Sequence, residues 1–232
     1  MSTRLAVDLD PAVGPAVDPS DGAPWAMPIV VRAEKNALPT ATAVAQACAS
    51  AVVLLLDDPR ANDDGEWASS VQRWLDGRIR KVARRARGTR WDAVQALPGL
   101  TLDRDGAQVR AFVPMPTDAL PPELSKLQVA GLELPDGPAL VSTPNALKIA
   151  LTPHVAMSAL KAAVQVAHAA QLARTEMSVD ELYRWRMTGF DVRLIRPDAA
   201  SWARWLATAR VTVRDAGFTE IPPGTRTTIS RW

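Results

Sequence analysis

The last part of this chain gathers residues that can handle a water molecule or an ester. Residues 211–228 read VTVRDAGFTEIPPGTRTT. A β-prone run ends at Asp215-Ala216-Gly217, a loop crosses Pro222 and Pro223, and Gly224 releases the chain into a second β-prone run from Thr225. The connection is too long for a two-residue hairpin. It brings Asp215, Thr219 and Thr227 to one strand end, on backbone that glycine allows to turn. Read alone, the same stretch also suits an ordinary polar turn. Further upstream, Lys161, Gln165 and His168 stand at i, i+4 and i+7, which places them on one helix face. Leu160, Val164 and Ala167 form the neighbouring apolar stripe. That spacing also fits a solvated polar face, and a single helical histidine is often structural.

These residues need a scaffold, and the hydrophobic pattern supplies one. In the second half, 147–151 reads as a strand and 157–174 as a long helix. Ser178-x-x-Glu181 is a capping box that opens a helix with Leu182, Trp185 and Arg186. A strand at 192–195 follows, then a helix capped by Asp198 and carrying Trp202 and Trp205. In the first half, 27–32 is a strand, and Pro39 fits the first turn of a helix that runs to about residue 56. A helix at 66–75, a basic strand at 78–86 and a short helix at 91–97 follow. Pro98-Gly99 and Asp105-Gly106 mark turns, and strands are expected at 107–113 and near 124–129.

The order strand, helix, helix, strand, helix, strand, strand thus occurs twice, and particular residues support a repeat. AVAQACAS aligns with AAVQVAHA, setting Gln46 on Gln165. Trp74 and Trp91 fall on Trp185 and Trp202, and LPPELSK falls on IPPGTRT. The fold class is α/β. Residues 1–24 read as a flexible acidic leader, 25–129 and 144–232 as two related units, and 130–143, rich in proline and glycine, as a linker.

Composition narrows the classes. The chain has 232 residues, 47% of them hydrophobic, enough for a substantial core. The single Cys48 excludes an internal disulfide and reads as a buried reduced thiol. No basic-then-apolar signal opens the chain, and its longest apolar run is too short to span a bilayer, so a soluble, cytoplasmic protein is expected. Net charge is only +2, yet Arg78, Arg80, Lys81, Arg84, Arg85, Arg87 and Arg90 crowd one stretch without an acid. Such a run can neutralise nucleic-acid phosphates, or it can serve as a solvated edge strand that resists edge-to-edge pairing. Most tryptophans fall at helical core spacing and are read as packing groups.

MSALKAAVQVAHAA, residues 157–170, resembles the first-helix signature of the archaeal and eukaryotic type (type 2) peptidyl-tRNA hydrolases. VRDAGFTEIPPGTRTT resembles the carboxy-terminal motif of the same family. The resemblance covers 147–232 well and 27–129 faintly. It implies three-layer α/β/α units around mixed four-stranded sheets, here joined as a fused pseudo-dimer, whether or not larger oligomers form. It implies hydrolysis of the ester between a peptide and tRNA, with tRNA or peptidyl-tRNA as partner and no metal or other cofactor. Lys161, Gln165, His168, Asp215, Thr219 and Thr227 are the implied catalytic positions. Asp215 or a neutral His168 can orient or deprotonate water, Lys161 can face the oxyanion or a phosphate, and Gln165 and the threonines can position the ester or ribose. Two departures stand out. The 152–156 loop, Thr-Pro-His-Val-Ala, lacks the family's Arg, Asp and Lys, and Ala159 and Leu160 replace a Lys and a Gly. In the first half Thr42 and Ala49 replace the helix Lys and His, and Pro114, Asp118, Glu123 and Lys126 take the places of Asp215, Thr219, Gly224 and Thr227. No active site is expected there. Alternative readings are a family member that binds tRNA without catalysis, and a protein-interaction scaffold.

Overall fold

The computed structural model describes residues 22–138, 140–217 and 220–232, and the backbone of 7–9. Within the stretch read as a leader, Val7–Leu9 forms a strand, β1, so that part is ordered against the fold; 1–6 and 10–21 lie outside the described residues. β2 (Trp25–Arg32) is buried from Ala26 through Val31, as a strand covered on both faces must be. α1 (Ala41–Asp57) begins at Thr40, whose hydroxyl accepts from the Ala43 amide, so Pro39 precedes the cap instead of sitting in the first turn. Fifteen of its residues are buried, because the helix is small and apolar nearly all round. Asp58 turns the chain into a short 3-10 turn, Pro59–Ala61.

α2 (Ala68–Leu75) turns Val71 and Trp74 inward. β3 (Arg80–Ala86) and α3 (Thr89–Val94) follow. Next come β4 (Gly99–Arg104), β5 (Ala107–Phe112), the two-residue β6 (Met115–Pro116) and α4 (Pro122–Ser125). Two expectations are corrected here. Residues 99–104 form a strand, and 124–129 do not. Asp105 and Gly106, both at positive φ, close a two-residue hairpin that zips β4 to β5. Pro122 opens α4 at a position where its missing N–H costs nothing.

The second half follows its expected course: β7 (Leu147–Leu151), α5 (Ala159–Glu176), α6 (Val179–Arg186), β8 (Val192–Ile195), α7 (Ala199–Leu206), β9 (Val211–Arg214) and β10 (Arg226–Arg231). The Ser178–Glu181 capping box forms in both directions, and Asp198 caps α7.

The protein is mixed α/β with two mixed sheets. One runs β3-β2-β5-β4, with β6 beside β2; the other runs β8-β7-β10-β9-β1. From the first edge of each, the first pair is parallel and the next two pairs are antiparallel. The two halves therefore share one strand order and one set of directions. β4–β5 matches β9–β10, which moves the true counterpart of Asp215 to Asp105, at the end of β4. The alignment of LPPELSK with IPPGTRT is thereby overturned, since 120–126 lies beyond the matched strand pair.

Alternation along the strands sends side chains to different clusters. Ile29, Val31, Val109, Leu147, Ile149 and Val213 join α1 and α5 in one continuous core that runs through both halves. Val30 and Phe112 point the other way, onto Trp91 and Val94 of α3 and Leu124 of α4. Ala150 and Ile229 likewise meet Trp202 of α7. Cys48 is fully buried in the shared core, and burial pushes its thiol up to about 12. The stretch read as a linker, 130–143, also belongs to the fold. Leu132 is buried in the shared core, and Leu134 and Leu140 pack on it. The Pro135 carbonyl accepts from the Ala41 amide at 2.9 Å, so this segment straps the N-terminus of α1. Among the described residues no helix is long and apolar enough to cross a membrane.

Candidate active site

Two loops fix the N-terminal end of α5. Ser158 caps the helix, its hydroxyl accepting from the Lys161 amide at 3.2 Å. The Glu220 carboxylate accepts from the Ser158 amide at 2.8 Å and from its hydroxyl at 2.7 Å, a favourable place for negative charge. This bond ties the β9–β10 connection to the start of the helix.

Asp215 stands where β9 and β10 diverge. Its amide donates to the Thr225 carbonyl at 2.9 Å, and its carbonyl accepts from the Gly224 amide at 2.8 Å. The backbone of the carboxylate is therefore held from both sides. Asp215 Oδ2 accepts from Lys161 Nζ at 2.6 Å and from Gln165 Nε2 at 2.7 Å, while Oδ1 accepts from the Gly217 amide at 2.8 Å. Gln165 Oε1 in turn accepts from Thr227 Oγ1 at 2.5 Å, which fixes which way the amide faces. Lys161, Asp215, Gln165 and Thr227 form one connected chain of charge-assisted and neutral hydrogen bonds, with Asp215, Gln165 and Thr227 buried. Gly217 must be glycine here: its φ is +78°, and a Cβ would fall 2.6 Å from Pro223 N. Thr219 lies outside the described residues.

His168 is one turn further along α5 and does not join this chain. Its Nδ1 lies 2.8 Å from Nζ of Lys81, which comes from β3 in the first half. Lys81 Nζ also donates to Gln171 Oε1 and sits 5.0 Å from the centroid of the Trp74 ring. Burial holds the Lys81 ammonium well below the usual lysine range. Burial also holds His168 well below the ordinary histidine range, with the positive charges of Lys81 and Lys161 adding to the effect.

A cleft of about 520 Å³ opens between the halves. Lys161, Gln165, His168 and Asp215 form one wall, and Arg78 and Arg80 lie on the other. The basic run read from the sequence is thus divided by the fold. Arg78, Arg80 and Lys81 all line the cleft, but Lys81 is buried where the other two are partly exposed, and it is no surface phosphate ligand. Arg84 donates to the Leu127 carbonyl at 3.0 Å and Arg85 to Gln128 Oε1, so both pin the segment after α4. Arg87 and Arg90 are exposed and do not line the cleft. β3 is indeed an edge strand of its sheet.

The sequence reading missed Gln171, Ser158 and Glu220 as parts of this region. Gln171 was within reach, because it extends the Lys161-Gln165-His168 face by one more helical step. The matching place in the first half is filled differently. The tight Asp105-Gly106 turn stands where the site loop would be, and Gln46 Oε1 accepts from the Leu194 amide of the opposite half at 3.1 Å. The Thr42 hydroxyl donates to the Gly137 carbonyl at 3.4 Å.

Chemically, the cleft offers a carboxylate flanked by an ammonium, an amide and a hydroxyl, with an imidazole close by. That set can orient water against a bound carbonyl and supply donors to a developing oxyanion. Comparison of the chain with known protein families, characterised proteins and solved structures finds no match.

Proposed function

We propose that the protein hydrolyses the ester linking a peptide to tRNA, in the manner of the type 2 peptidyl-tRNA hydrolases, with its reacting groups in the second half. One observation carries this reading. Lys161, Gln165, Asp215 and Thr227, drawn from two separate stretches of sequence, meet in a single hydrogen-bonded chain at the wall of a cleft. In this reading Asp215 orients or deprotonates the water, and Lys161 and Gln165 hold the carboxylate and face the ester. The halves 25–129 and 144–232 act as a fused pseudo-dimer of three-layer units, in the cytoplasm. The first half contributes a cationic wall and no second site.

The test is release of free tRNA from peptidyl-tRNA by the purified protein at low salt. Turnover is the expected outcome. A second reading, tRNA binding without catalysis, is favoured by one feature. The 152–156 loop carries no Lys or Arg, and its exposed His154 meets Trp202 edge-on at 6.4 Å. Salt-sensitive binding without turnover would select that reading. Absence of tRNA binding would leave the interaction scaffold.

Arg78 and Arg80 line the cleft, where a phosphate-bearing ligand would meet them. Replacing both with Ala is expected to weaken tRNA binding and to flatten its dependence on salt, by about one to two units of log–log slope if each meets one phosphate. Binding titrations at several salt concentrations read this directly. An Arg87→Ala, Arg90→Ala protein provides the contrast, since neither residue lines the cleft. Equal loss of slope in both proteins would place the nucleic acid elsewhere.

A further inference from the structure

We infer that Lys81, from the first half, is a positioning residue that fixes the proton on His168: it holds the imidazole neutral, with Nδ1 accepting and the proton on Nε2. His168 then presents the cleft with a hydrogen-bond donor and does not serve as the proton acceptor. The consequence for catalysis rests on the ester-hydrolysis reading above; the proton assignment does not.

The argument begins with what surrounds the Lys81 nitrogen. An ammonium has three N–H donors and no lone pair. Two groups that can only accept stand around this one, Gln171 Oε1 and the face of the Trp74 ring, and His168 Nδ1 lies third at 2.8 Å. The environment complements the charged amine donor for donor. An ammonium beside Nδ1 requires a lone pair there, and a neutral imidazole with its lone pair on Nδ1 carries its proton on Nε2. The competing arrangement moves the shared proton to the ring. It is disfavoured because a lysine amine is the stronger base by about four pKa units in water. Burial lowers both groups, so the pair holds one proton where the separated groups can hold two.

The other charged groups do not offer His168 a different role. Around the cleft these are Arg78, Arg80, Lys161, Arg214, Asp215 and Glu220. Of these, Lys161 opposes a second proton on the ring. Asp215 accepts from Lys161, Gln165 and Gly217, and Glu220 accepts from Ser158, so the carboxylates are committed to other donors. On the ester-hydrolysis reading, the choice between Asp215 and His168 as base then falls to Asp215.

The chain has two histidines, which makes the test direct. The full-length protein labelled with nitrogen-15 in histidine is examined by proton–nitrogen correlation, with His154→Gln to assign the rings. The expected His168 spectrum has a lone-pair type Nδ1 and a protonated Nε2, unchanged between about pH 8 and pH 5. In Lys81→Met, a substitution that replaces a buried cation with an apolar chain of similar length, the tautomer is released. The His168 midpoint then rises by about one pH unit or more. A protonated Nδ1 in the unmodified protein overturns the inference, and so does a midpoint that Lys81→Met leaves in place. The unmodified protein alone decides the tautomer, whatever the variant does. Turnover is read separately: the expected spectrum without tRNA release would sink the ester-hydrolysis reading and leave the Lys81–His168 assignment standing.

Discussion

Replacement of Asp215 by Asn is expected to lower the rate of tRNA release from peptidyl-tRNA by about a hundredfold or more, with tRNA binding largely kept. The reason lies in how many donors converge on this side chain. Lys161 Nζ and Gln165 Nε2 reach Oδ2, and the Gly217 amide reaches Oδ1. An asparagine offers one acceptor oxygen and one NH₂ group. Whichever way it turns, at least one of those donors faces another donor. Lys161 also loses its counter-charge in a place where its side chain is only 13% exposed. On the proposed ester-hydrolysis reading, the substitution therefore removes the proton acceptor and disturbs the groups that face the ester. It should also cost about 1–3 kcal/mol of stability through the unpaired donors. Rates must for that reason be compared well below the unfolding transition of the variant. An unchanged rate in a folded protein would remove Asp215 from the chemistry, and with it the observation on which the proposed function stands.

How much of this was readable beforehand depended on how local each signal was. The polar face of α5, the Ser178 capping box and the Asp198 cap are set by residues a few positions apart, and they form as read. So does the convergence of Lys161 and Gln165 with Asp215 and Thr227, because both stretches carry recognisable patterns, whereas His168 turns to Lys81 instead. β4 escaped because turn residues at both ends drew attention from the alternation of Leu100 and Leu102 between them. That alternation, running into Asp-Gly, is a hairpin signal in its own right. The repeat was read in the correct order but with its last strands displaced, since two proline pairs of similar composition do different work. Pro121-Pro122 starts a short helix, and Pro222-Pro223 lies in the site loop. Lys81 is the instructive miss. In a run of seven cations a lysine reads as surface. Yet β-strand alternation puts Lys81 with Ala83 on the inward face, against a helix more than 80 residues away in sequence. Composition describes the run as a whole, whereas burial is decided residue by residue through tertiary packing. The 130–143 segment taught the same lesson in reverse. Its prolines and glycines suggested a free connector, and three leucines anchor it to the core.

Residues 144–232 produced alone are expected to give no stable monomer. α1 and α5 lie in the same core, and twelve residues of α5 are buried in the full chain. Removing the first half exposes an alanine- and valine-rich face to water, together with the inner edge of β8. It also strips the Leu194 amide of Gln46, the Phe190 carbonyl of Ser50, and Asp57 from Arg186. Roughly ten buried apolar side chains at about 1–3 kcal/mol each are comparable with the whole 5–15 kcal/mol that keeps a typical domain folded. Sedimentation and denaturant unfolding check the outcome. A monomer with a cooperative transition would show that the halves are separable domains and that the shared core is only an interface. A folded homodimer would instead support the repeat, because a second α5 would then fill the place of α1. Such a dimer would still differ from the full chain at one point. β8 turns Val192 and Leu194 inward where β3 turns Lys81 and Ala83. Each His168 would meet an aliphatic side chain in place of the ammonium. The first half, which lacks the Lys161–Asp215 chemistry, would thus be needed for the cation it places beside His168 in the second.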